Sequence, residues 1–253
     1  MRSRQICGVR VDAVTYESAL AQVITWARNR ESRTVCFSNV HMIMEAQDSL
    51  DYRRILSQSD LVTPDGVPLV WALRLLGFAG ASRVYGPDFT MLIAERAAQD
   101  GIPIALYGGS DAALANLNAV LSARFPNLRV VYSFAPPFRP LTAGETEDHV
   151  RAIAESGAQI VLVGLGCPKQ ERWMADQRGR IPAVMLGVGA AFDFLSGAKP
   201  QAPRWMMRAG LEWLFRLITE PRRLWARYLK QNPRFVMRFT AQLLRESFSG
   251  ATR

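Results

Sequence analysis

Asp65 is the residue of this chain whose type and position best suit acid–base chemistry. It stands in the string T-P-D-G, directly after a short β-branched run that ends at Thr63. A carboxylate at the end of a strand, facing a crevice, can accept a proton from a hydroxyl group as that group attacks. Pro-Asp-Gly is also ideal for a plain β-turn, so the string alone leaves a base and a turn as alternatives.

The last quarter of the chain combines basic and aromatic residues at helical spacing. Arg223, Arg227 and Lys230 fall on one face of the helix that Pro221 would begin, because residues three and four apart are neighbours. Clustered guanidinium groups suit phosphate, and a basic amphipathic helix with tryptophans suits an anionic membrane surface. The segment therefore predicts a phosphate-bearing ligand that is held close to lipid.

Two glycine-bearing loops precede predicted helices. One contains Gly108 and Gly109, and the other runs from Gly164 to Gln170. Backbone N–H groups of such loops can bind phosphate or a ribose hydroxyl. Neither loop completes the G-x-G-x-x-G pattern of dinucleotide sites, so a glycine turn without a ligand stays the alternative.

Two charged residues have competing interpretations. Arg83, in A-S-R-V-Y-G-P-D, either neutralises a ligand or caps the preceding segment. Asp193 lies between Phe192 and Phe194, and a carboxylate buried in an apolar stretch needs a partner. Asp193 is therefore either a ligand contact or half of a structural ion pair.

The sequence contains no pattern typical of a metal site. The three cysteines are widely separated, there is no Asp-x-Asp string, and no His/Glu cluster has metal-ligand spacing. We therefore expect no metal and no cofactor, so that arginines would neutralise any departing pyrophosphate. His41 begins an apolar helix, which favours a partly buried histidine whose hydrogen bonds are satisfied.

The composition limits the classes of protein to which this chain can belong. The 253 residues are 49% hydrophobic and 21% charged, which is ordinary for a globular α/β protein. The net charge of +9 is concentrated beyond Lys199 and suits nucleic acid, anionic lipid or a pyrophosphate. No run approaches the roughly 20 apolar residues that cross a bilayer. We expect a cytoplasmic protein that can lie on a membrane surface.

Apolar runs alternate with helical patterns along the chain, which predicts a Rossmann-like α/β fold with a mainly parallel sheet and helices on both faces. The predicted strands are Arg33–Ser38, Leu61–Thr63, Ile102–Tyr107, Arg129–Ser133, Ile160–Val163 and Pro182–Gly187. The predicted helices are Tyr16–Arg28, His41–Ser57, Val67–Leu76, Phe89–Gln99, Ala112–Arg124, Glu147–Ser156 and Lys169–Gln177. A hinge at Gly197–Pro203 would separate a body, residues 1–197, from a C-terminal basic amphipathic helical appendage, residues 198–253.

The unusual residues follow the predicted strands. Ligands of open α/β sheets bind outside the carboxyl ends of the strands. One edge of the sheet would therefore hold Asn39, Asp65, Gly109, Gln170 and Asp193 around a common crevice. This crevice is the active site that the pattern alone predicts.

Six ordered strings resemble the WecG/TagA/CpsF glycosyltransferases over roughly Val9 to Lys230. They are T-P-D-G-V-P-L-V-W, R-V-Y-G-P-D, Y-G-G-S, V-G-L-G-C-P-K-Q-E-R-W, V-G-A-A-F-D-F-L-S-G and G-L-E-W-L-F-R-L-I-T-E-P-R-R. The resemblance implies an inverting, metal-independent hexosyltransferase that moves a sugar from a UDP-sugar to a polyprenyl-pyrophosphate-linked saccharide. It also implies peripheral association with the inner face of the plasma membrane.

The resemblance assigns roles position by position. Asp65 corresponds to the general base of the family. The positions that match polar pocket residues are Asn39, Arg83, Gln170 and Asp193. The positions that match C-terminal arginines closing over the UDP phosphates are Arg216, Arg223 and Arg227.

The resemblance departs from the family pattern at Phe37. Members often carry a threonine at this position, two residues before the equivalent of Asn39. The missing hydroxyl puts the usual UDP-N-acetylmannosamine-type donor, or its uronic acid, in doubt. The string F-S-N-V-H-M is more similar to exopolysaccharide-pathway members, some of which transfer glucose.

Two other classes of protein compete with a glycosyltransferase. A nucleic-acid-binding module would use the same basic charge, but its aromatics should interleave with basic residues on an exposed surface. A nicotinamide-dependent oxidoreductase fits the alternation of strands and helices, yet the chain lacks a complete glycine fingerprint. We therefore expect no nucleic-acid partner, while a homo-oligomer stays open.

Overall fold

The computed structural model describes residues 2–250, which open on an antiparallel hairpin. Strands β1 (Ser3–Ile6) and β2 (Val9–Asp12) are joined by Cys7 and Gly8, whose φ angles are 48° and 73°. These angles are typical of a type I′ turn, the two-residue hairpin turn with left-handed backbone at both central positions. The sequence prediction did not include this hairpin.

The next six strands form one parallel sheet: β3 (Arg33–Ser38), β4 (Leu61–Pro64), β5 (Ile104–Gly108), β6 (Val130–Phe134), β7 (Ile160–Gly164) and β8 (Val184–Gly187). Their order is β4-β3-β8-β7-β5-β6, and every neighbouring pair is parallel. The predicted Rossmann-like fold is confirmed. The chain leaves β3 for β4 on one side, while β8 lies on the other. A reversal of this kind opens a crevice at the carboxyl ends of the strands.

Helices α1 to α9 accompany these strands and cover both faces of the sheet. They are α1 (Tyr16–Arg28), α2 (Val40–Asp48), α3 (Leu50–Gln58), α4 (Val67–Leu75), α5 (Gly86–Asp100), α6 (Asp111–Arg124), α7 (Ala143–Glu155), α8 (Lys169–Asp176) and α9 (Ala191–Leu195). Local sequence sets several of their starts. Thr15 and Thr142, for example, form capping boxes with Ser18 and Glu145.

Three helices differ from their predictions. Helix α7 begins at Ala143 instead of the predicted Glu147, because Thr142 caps it. The predicted helix 41–57 is two helices, because Ser49 is extended (φ −135°, ψ 111°) and its hydroxyl accepts from the N–H of Tyr52. The helix predicted from Phe89 begins at Gly86, where Pro87 occupies the first turn. Asp88 consequently lies inside that first turn and pairs with Arg204 at 2.6 Å.

The core lies on both faces of the parallel sheet. Successive residues of β5 and β7 alternate between two apolar clusters: Ala105 and Val161 face one, and Ile104 and Ile160 face the other. Strands that are buried on both sides read as nearly continuous apolar runs. The first cluster packs under α2, α3, α4 and α7, and the second under α1, α5 and α6.

The C-terminal segment is helical, as predicted, and consists of α10 (Arg204–Arg208), α11 (Glu212–Thr219) and α12 (Pro221–Gly250). Helix α12 packs along α2, and its Phe235 and Phe239 are buried in the same cluster as the body core. Its Arg234 binds Asp48 at 2.9 Å. Within residues 2–250, none of the helices combines the length and apolar character that crossing a bilayer requires.

The far end of α12 is fastened to the N-terminal hairpin. The side-chain oxygen of Gln242 accepts from the N–H of Cys7 at 2.7 Å, and its Nε2 donates to the carbonyl of Gln5 at 2.7 Å. The appendage therefore contacts the body along α2 as well as at β1, and it lies over the carboxyl edge of the sheet.

Candidate active site

A cavity of about 300 Å³ lies at the carboxyl ends of β3, β4 and β8, beneath α11 and α12. Its walls combine strand ends and loops of the body with one face of the appendage. Seven residues that the sequence singled out line this cavity: Asn39, Asp65, Arg83, Gln170, Arg216, Arg223 and Arg227. The structure thus brings the predicted carboxylate and the predicted arginines to one place.

Asp65 directly follows β4, where its N–H donates to the carbonyl of Ser38 at 2.9 Å. Its side chain keeps 18% of its surface accessible, so the carboxylate is largely enclosed but open to the cavity. Burial raises the pKa of Asp65 to about 6, Arg83 opposes the shift, and Glu212 adds to it. The result is a carboxylate that is ionised near neutral pH yet more basic than an ordinary aspartate.

Arg83 lies in the loop before α5 and is held by polar groups on several sides. Its Nε donates to the backbone carbonyl of Asp65, and its Nη2 contacts the Asp65 carboxylate at 3.1 Å. The same Nη2 contacts Glu212 of α11 at 2.6 Å, and the guanidinium stacks 4.1 Å from the ring centroid of Tyr85. Burial alone would lower the pKa of Arg83, but Asp65 and Glu212 hold it above its usual value.

Asn39 caps α2 at the point where β3 ends. Its Oδ1 accepts from the N–H of Met42 at 3.2 Å, and the residue lines the cavity. Capping fixes the orientation of the side chain, because the oxygen must point at the first turn of the helix.

Gln170 is buried at the start of α8, with hydrogen bonds on both side-chain atoms. Its Oε1 accepts from the N–H of Gly166 at 3.1 Å, and its Nε2 donates to the carbonyl of Gly187 at 2.8 Å and to Glu171 at 2.7 Å. These bonds tie the loop after β7 to the end of β8. In this structure Gln170 shapes the cavity floor.

The arginines of the appendage form the opposite wall. Arg216 of α11 stacks 5.4 Å from the ring centroid of Phe194, and its buried Nε has no hydrogen-bond partner among residues 2–250. Burial and the neighbouring charges of Arg223 and Arg216 lower the pKa of Arg227. Arg223 itself binds Glu220 at 2.5 Å. Positive charge is therefore crowded on this wall, an arrangement that an anion would stabilise.

Comparison with known protein families gives a match over nearly the whole chain. The model of the Glycosyl transferase WecG/TagA/CpsF family matches residues 4–249. The chain belongs to this family. It is a glycosyltransferase of surface-polymer synthesis, a class that takes sugar from a nucleotide-sugar donor to a lipid-linked acceptor. The resemblance and the enzyme class predicted from the sequence are confirmed.

Three predicted site residues of this glycosyltransferase do not line the cavity. Asp193 binds Lys199 at 2.6 Å, so it forms the structural ion pair that the sequence left as one alternative. Gly108 and Gly109 lie instead at the carboxyl end of β5, beside Gly164 at the end of the neighbouring strand β7. A Cβ on Gly108 would lie 2.5 Å from the carbonyl carbon of Gly164, which explains the glycine without a ligand.

Two residues that line the cavity had been given no role in the site from the sequence. Glu212 lies in the string G-L-E-W-L-F-R-L-I-T-E-P-R-R but received no role from it, and its partner Arg83 lies 129 positions away in sequence. His41 lines the cavity, and its Nδ1 has no hydrogen-bond partner among the described residues, contrary to the satisfied histidine that we expected. Burial and Arg227 lower the pKa of His41 to about 4, so the imidazole is neutral at physiological pH.

The side chains that could act as metal ligands decide whether a metal ion could help to bind phosphate. Across residues 2–250, no three His, Cys, Asp or Glu side chains cluster so that they could hold a metal ion. The appendage wall of the cavity instead offers the guanidinium groups of Arg216, Arg223 and Arg227. Guanidinium binds phosphate oxygens in a bidentate manner.

Proposed function

We propose that this glycosyltransferase moves a sugar from a UDP-sugar to a polyprenyl-pyrophosphate-linked saccharide, with inversion and without a metal ion. One observation carries the proposal: Asp65 and the arginines 216, 223 and 227, which come from distant parts of the chain, line the same cavity. A base on one wall and an anion site on the other are the two functions that such a transfer needs.

Asp65 acts as the general base in this proposal. It takes the proton of the acceptor hydroxyl while that oxygen attacks the anomeric carbon from the face opposite UDP. A pKa raised to about 6 suits the role, since the group is ionised at neutral pH and retains affinity for a proton. General-base assistance is worth about a hundredfold to ten-thousandfold in rate.

The arginines stabilise the departing UDP. Charge accumulates on the diphosphate as the glycosidic bond to the donor breaks, and preorganised cations lower the energy of that transition state. Arg216 supports this role through its unpartnered buried Nε, and Arg227 through a pKa that its cationic neighbours lower. Both features describe groups that gain from an anion in the cavity.

We propose UDP-glucose as the donor, with UDP-N-acetylmannosamine or its uronic acid as the alternative. Phe37 lines the cavity and packs 5.3 Å from the ring centroid of Phe89, so this wall is apolar where a hydroxyl would offer a hydrogen bond. An acetamido group would find no polar partner in that ring pair.

We propose that the appendage docks on an anionic membrane surface, at the inner face of the plasma membrane. Trp205, Trp225 and Leu229 are exposed on α10 and α12, while basic residues surround them. Exposed aromatic and aliphatic side chains beside basic ones suit the boundary between lipid headgroups and acyl chains. The lipid-linked acceptor would reach the cavity from that side.

The decisive experiment offers a panel of UDP-sugars together with a short-chain polyprenyl-pyrophosphate saccharide and identifies products by mass spectrometry. We expect transfer of one hexose, and the anomeric configuration of the product, read by NMR, should be opposite to that of the donor. Transfer that requires added divalent metal, or a retained configuration, would contradict the proposed mechanism. A thermal shift with NAD but not with UDP would favour an oxidoreductase instead.

A further inference from the structure

The guanidinium of Arg83 lies between two carboxylates that belong to different parts of the fold. Its Nη2 is 3.1 Å from Oδ1 of Asp65, at the end of β4, and 2.6 Å from Oε2 of Glu212, in the first turn of α11. One nitrogen therefore serves both acids, and the shorter contact is the one to Glu212. Two carboxylates and one guanidinium leave this cluster with one net negative charge.

The position of Glu212 is not explained by donor binding. It lines the same cavity as Arg216, Arg223 and Arg227, where an acid opposes the binding of diphosphate. Its side chain is only 13% exposed, and an enclosed carboxylate is costly unless it is paired. Arg83 is the partner that it has, so the role of Glu212 lies with Arg83 and Asp65.

We propose that Glu212 is a positioning residue that shares the charge of Arg83 and thereby keeps Asp65 a strong enough base. The inference rests on the proposed function, in which Asp65 accepts the proton. If Glu212 were neutral, Arg83 would direct its charge to Asp65 alone and stabilise the ionised carboxylate. Because Glu212 belongs to the appendage, the base reaches full strength only when α11 covers the cavity.

Several other groups face Asp65 from the elements around it. The N–H of Gly86, at the start of α5, donates to its carboxylate. Tyr16 of α1 and Tyr85, before α5, also lie close to Asp65. Burial, and to a smaller extent the charge of Asp65, raises the pKa of both phenols, so both stay neutral near neutral pH. Glu212 is thus the neighbour whose negative charge raises the pKa of Asp65.

The test is a titration of the Asp65 carboxyl carbon by NMR in protein labelled with ¹³C-aspartate, with the signal assigned by its loss in Asp65→Asn. The wild-type midpoint should lie at about 6. Glu212→Gln should lower it by about one unit, the usual size of a single charge effect. Asp88→Asn is the matched control: it removes another ion pair between body and appendage, to Arg204, and should leave the midpoint unchanged.

Kinetics with the UDP-sugar that the panel selects give a second measurement. In Glu212→Gln the acid limb of kcat/KM should move to lower pH, and kcat at neutral pH should fall severalfold, well short of the roughly hundredfold or more expected for loss of a general base. Glu212→Asp keeps the negative charge, so the acid limb of its kcat/KM profile should lie close to the wild-type pH. Glu212→Ala removes the same charge and serves as the test variant if Glu212→Gln does not fold.

The role of Glu212 and the role of Asp65 as general base can be disproved separately. An unchanged or raised midpoint in folded Glu212→Gln, with Asp65→Asn inactive, would overturn the role of Glu212 and leave the general base in place. Full turnover by Asp65→Asn would overturn the proposed function itself, and the positioning role with it.

Discussion

The chemistry of this site depends on how one carboxylate is balanced between burial and charge. Burial makes the ionised form of Asp65 less favourable, while the nearby guanidinium of Arg83 makes it more favourable. Neither influence alone gives a useful base: burial by itself would keep the proton on at neutral pH, and a full ion pair would hold the acid as an inert anion. The observed geometry lies between these limits.

Replacement of Asp65 tests its role at the scale of a single residue. Asp65→Asn should lower kcat by about a hundredfold to ten-thousandfold, because the amide cannot accept the proton. The Kd for UDP, measured by calorimetry, should stay close to wild type, since the change removes no phosphate contact. Asp148→Asn, an exposed acid on α7, is the control. Unchanged kcat would remove Asp65 from the mechanism.

The pH dependence follows from the same carboxyl group. Because its pKa is raised to about 6, the fraction of ionised Asp65 falls as the pH decreases through that value. We expect kcat/KM of the free enzyme to fall below about pH 6, with a slope of one on a logarithmic plot. An acid limb near pH 4 would mean that Asp65 titrates as an ordinary aspartate. A limb that survives in Asp65→Asn would belong to another group.

Helix α12 shows how one element serves several purposes. Leu224, Phe235 and Phe239 are buried, Arg223 and Arg227 line the cavity, and a further face is apolar and exposed. The buried residues hold the helix against α2, and that contact fixes where the arginines point. Donor binding is therefore expected to depend on the packing of an element that lies beside the sheet rather than within it.

Two arginines of this helix make a matched pair. Arg227→Ala should weaken UDP binding by about ten- to hundredfold, equivalent to the ~1.5–3 kcal/mol of a charge-assisted hydrogen bond. The melting temperature without UDP should not fall, because removing Arg227 relieves repulsion with its neighbours. Arg222→Ala changes an exposed residue that does not line the cavity, and its Kd for UDP should be nearly unchanged. Equal effects of the two variants would point to general electrostatics.

The close approach of the paired strands β5 and β7 at Gly108 provides a stability test. Gly108 and Gly157 both have positive φ angles, 128° and 75°, so alanine is strained at either position by roughly 1–3 kcal/mol. Only at Gly108 would the added Cβ also meet backbone, 2.5 Å from Gly164, whereas nothing lies within 4 Å at Gly157. Gly108→Ala should therefore reduce the free energy of unfolding by about 1–3 kcal/mol more than Gly157→Ala. Similar losses in chemical denaturation would contradict the close approach.

Elements with strong local signals could be predicted from the sequence. The bounds of α1 and β3 match the prediction, since Thr15 marks the helix start and a β-branched run marks the strand. The break at Ser49 could not be seen, because the apolar spacing continues through it. The hairpin at residues 3–12 was missed because its strands, S-R-Q-I and V-R-V-D, mix polar and charged residues with apolar ones and form no apolar run.

The site was predictable where chain order alone places residues at strand ends, as for Asn39, Asp65 and Gln170. Contacts between distant segments were not predictable in this way. The pairing of Arg83 with Glu212 depends on how the appendage docks, which no local pattern encodes. Asp193 shows the converse: it follows the right strand, yet the short helix α9 turns its carboxylate to Lys199.

At the scale of the whole molecule, the surface is uneven. The net charge is +9, and exposed apolar side chains such as Trp225, Leu229 and Met237 gather on the appendage. Several exposed apolar side chains on one element are typical of a contact with lipid or protein. Together with the basic residues it gives the molecule one side that suits an anionic bilayer.

Vesicle binding tests that assignment. The double variant Trp225→Ser and Leu229→Ser should bind vesicles of phosphatidylglycerol and phosphatidylcholine at least tenfold more weakly in a flotation assay, at about 25 cal/mol per Å² of apolar surface lost. Its Kd for UDP should be unchanged, because neither residue lines the cavity. Val120→Ser, on α6, is the control for loss of an exposed apolar side chain elsewhere. Equal binding by all three proteins would exclude this face.

The bonds of Gln242 to Gln5 and Cys7 connect the beginning of the chain to the helix that carries Arg223 and Arg227. A short deletion that removes Gln5 and Cys7 would break that fastening. On the proposed function, trimming the start of the protein would therefore weaken nucleotide binding although no residue of the cavity had been changed.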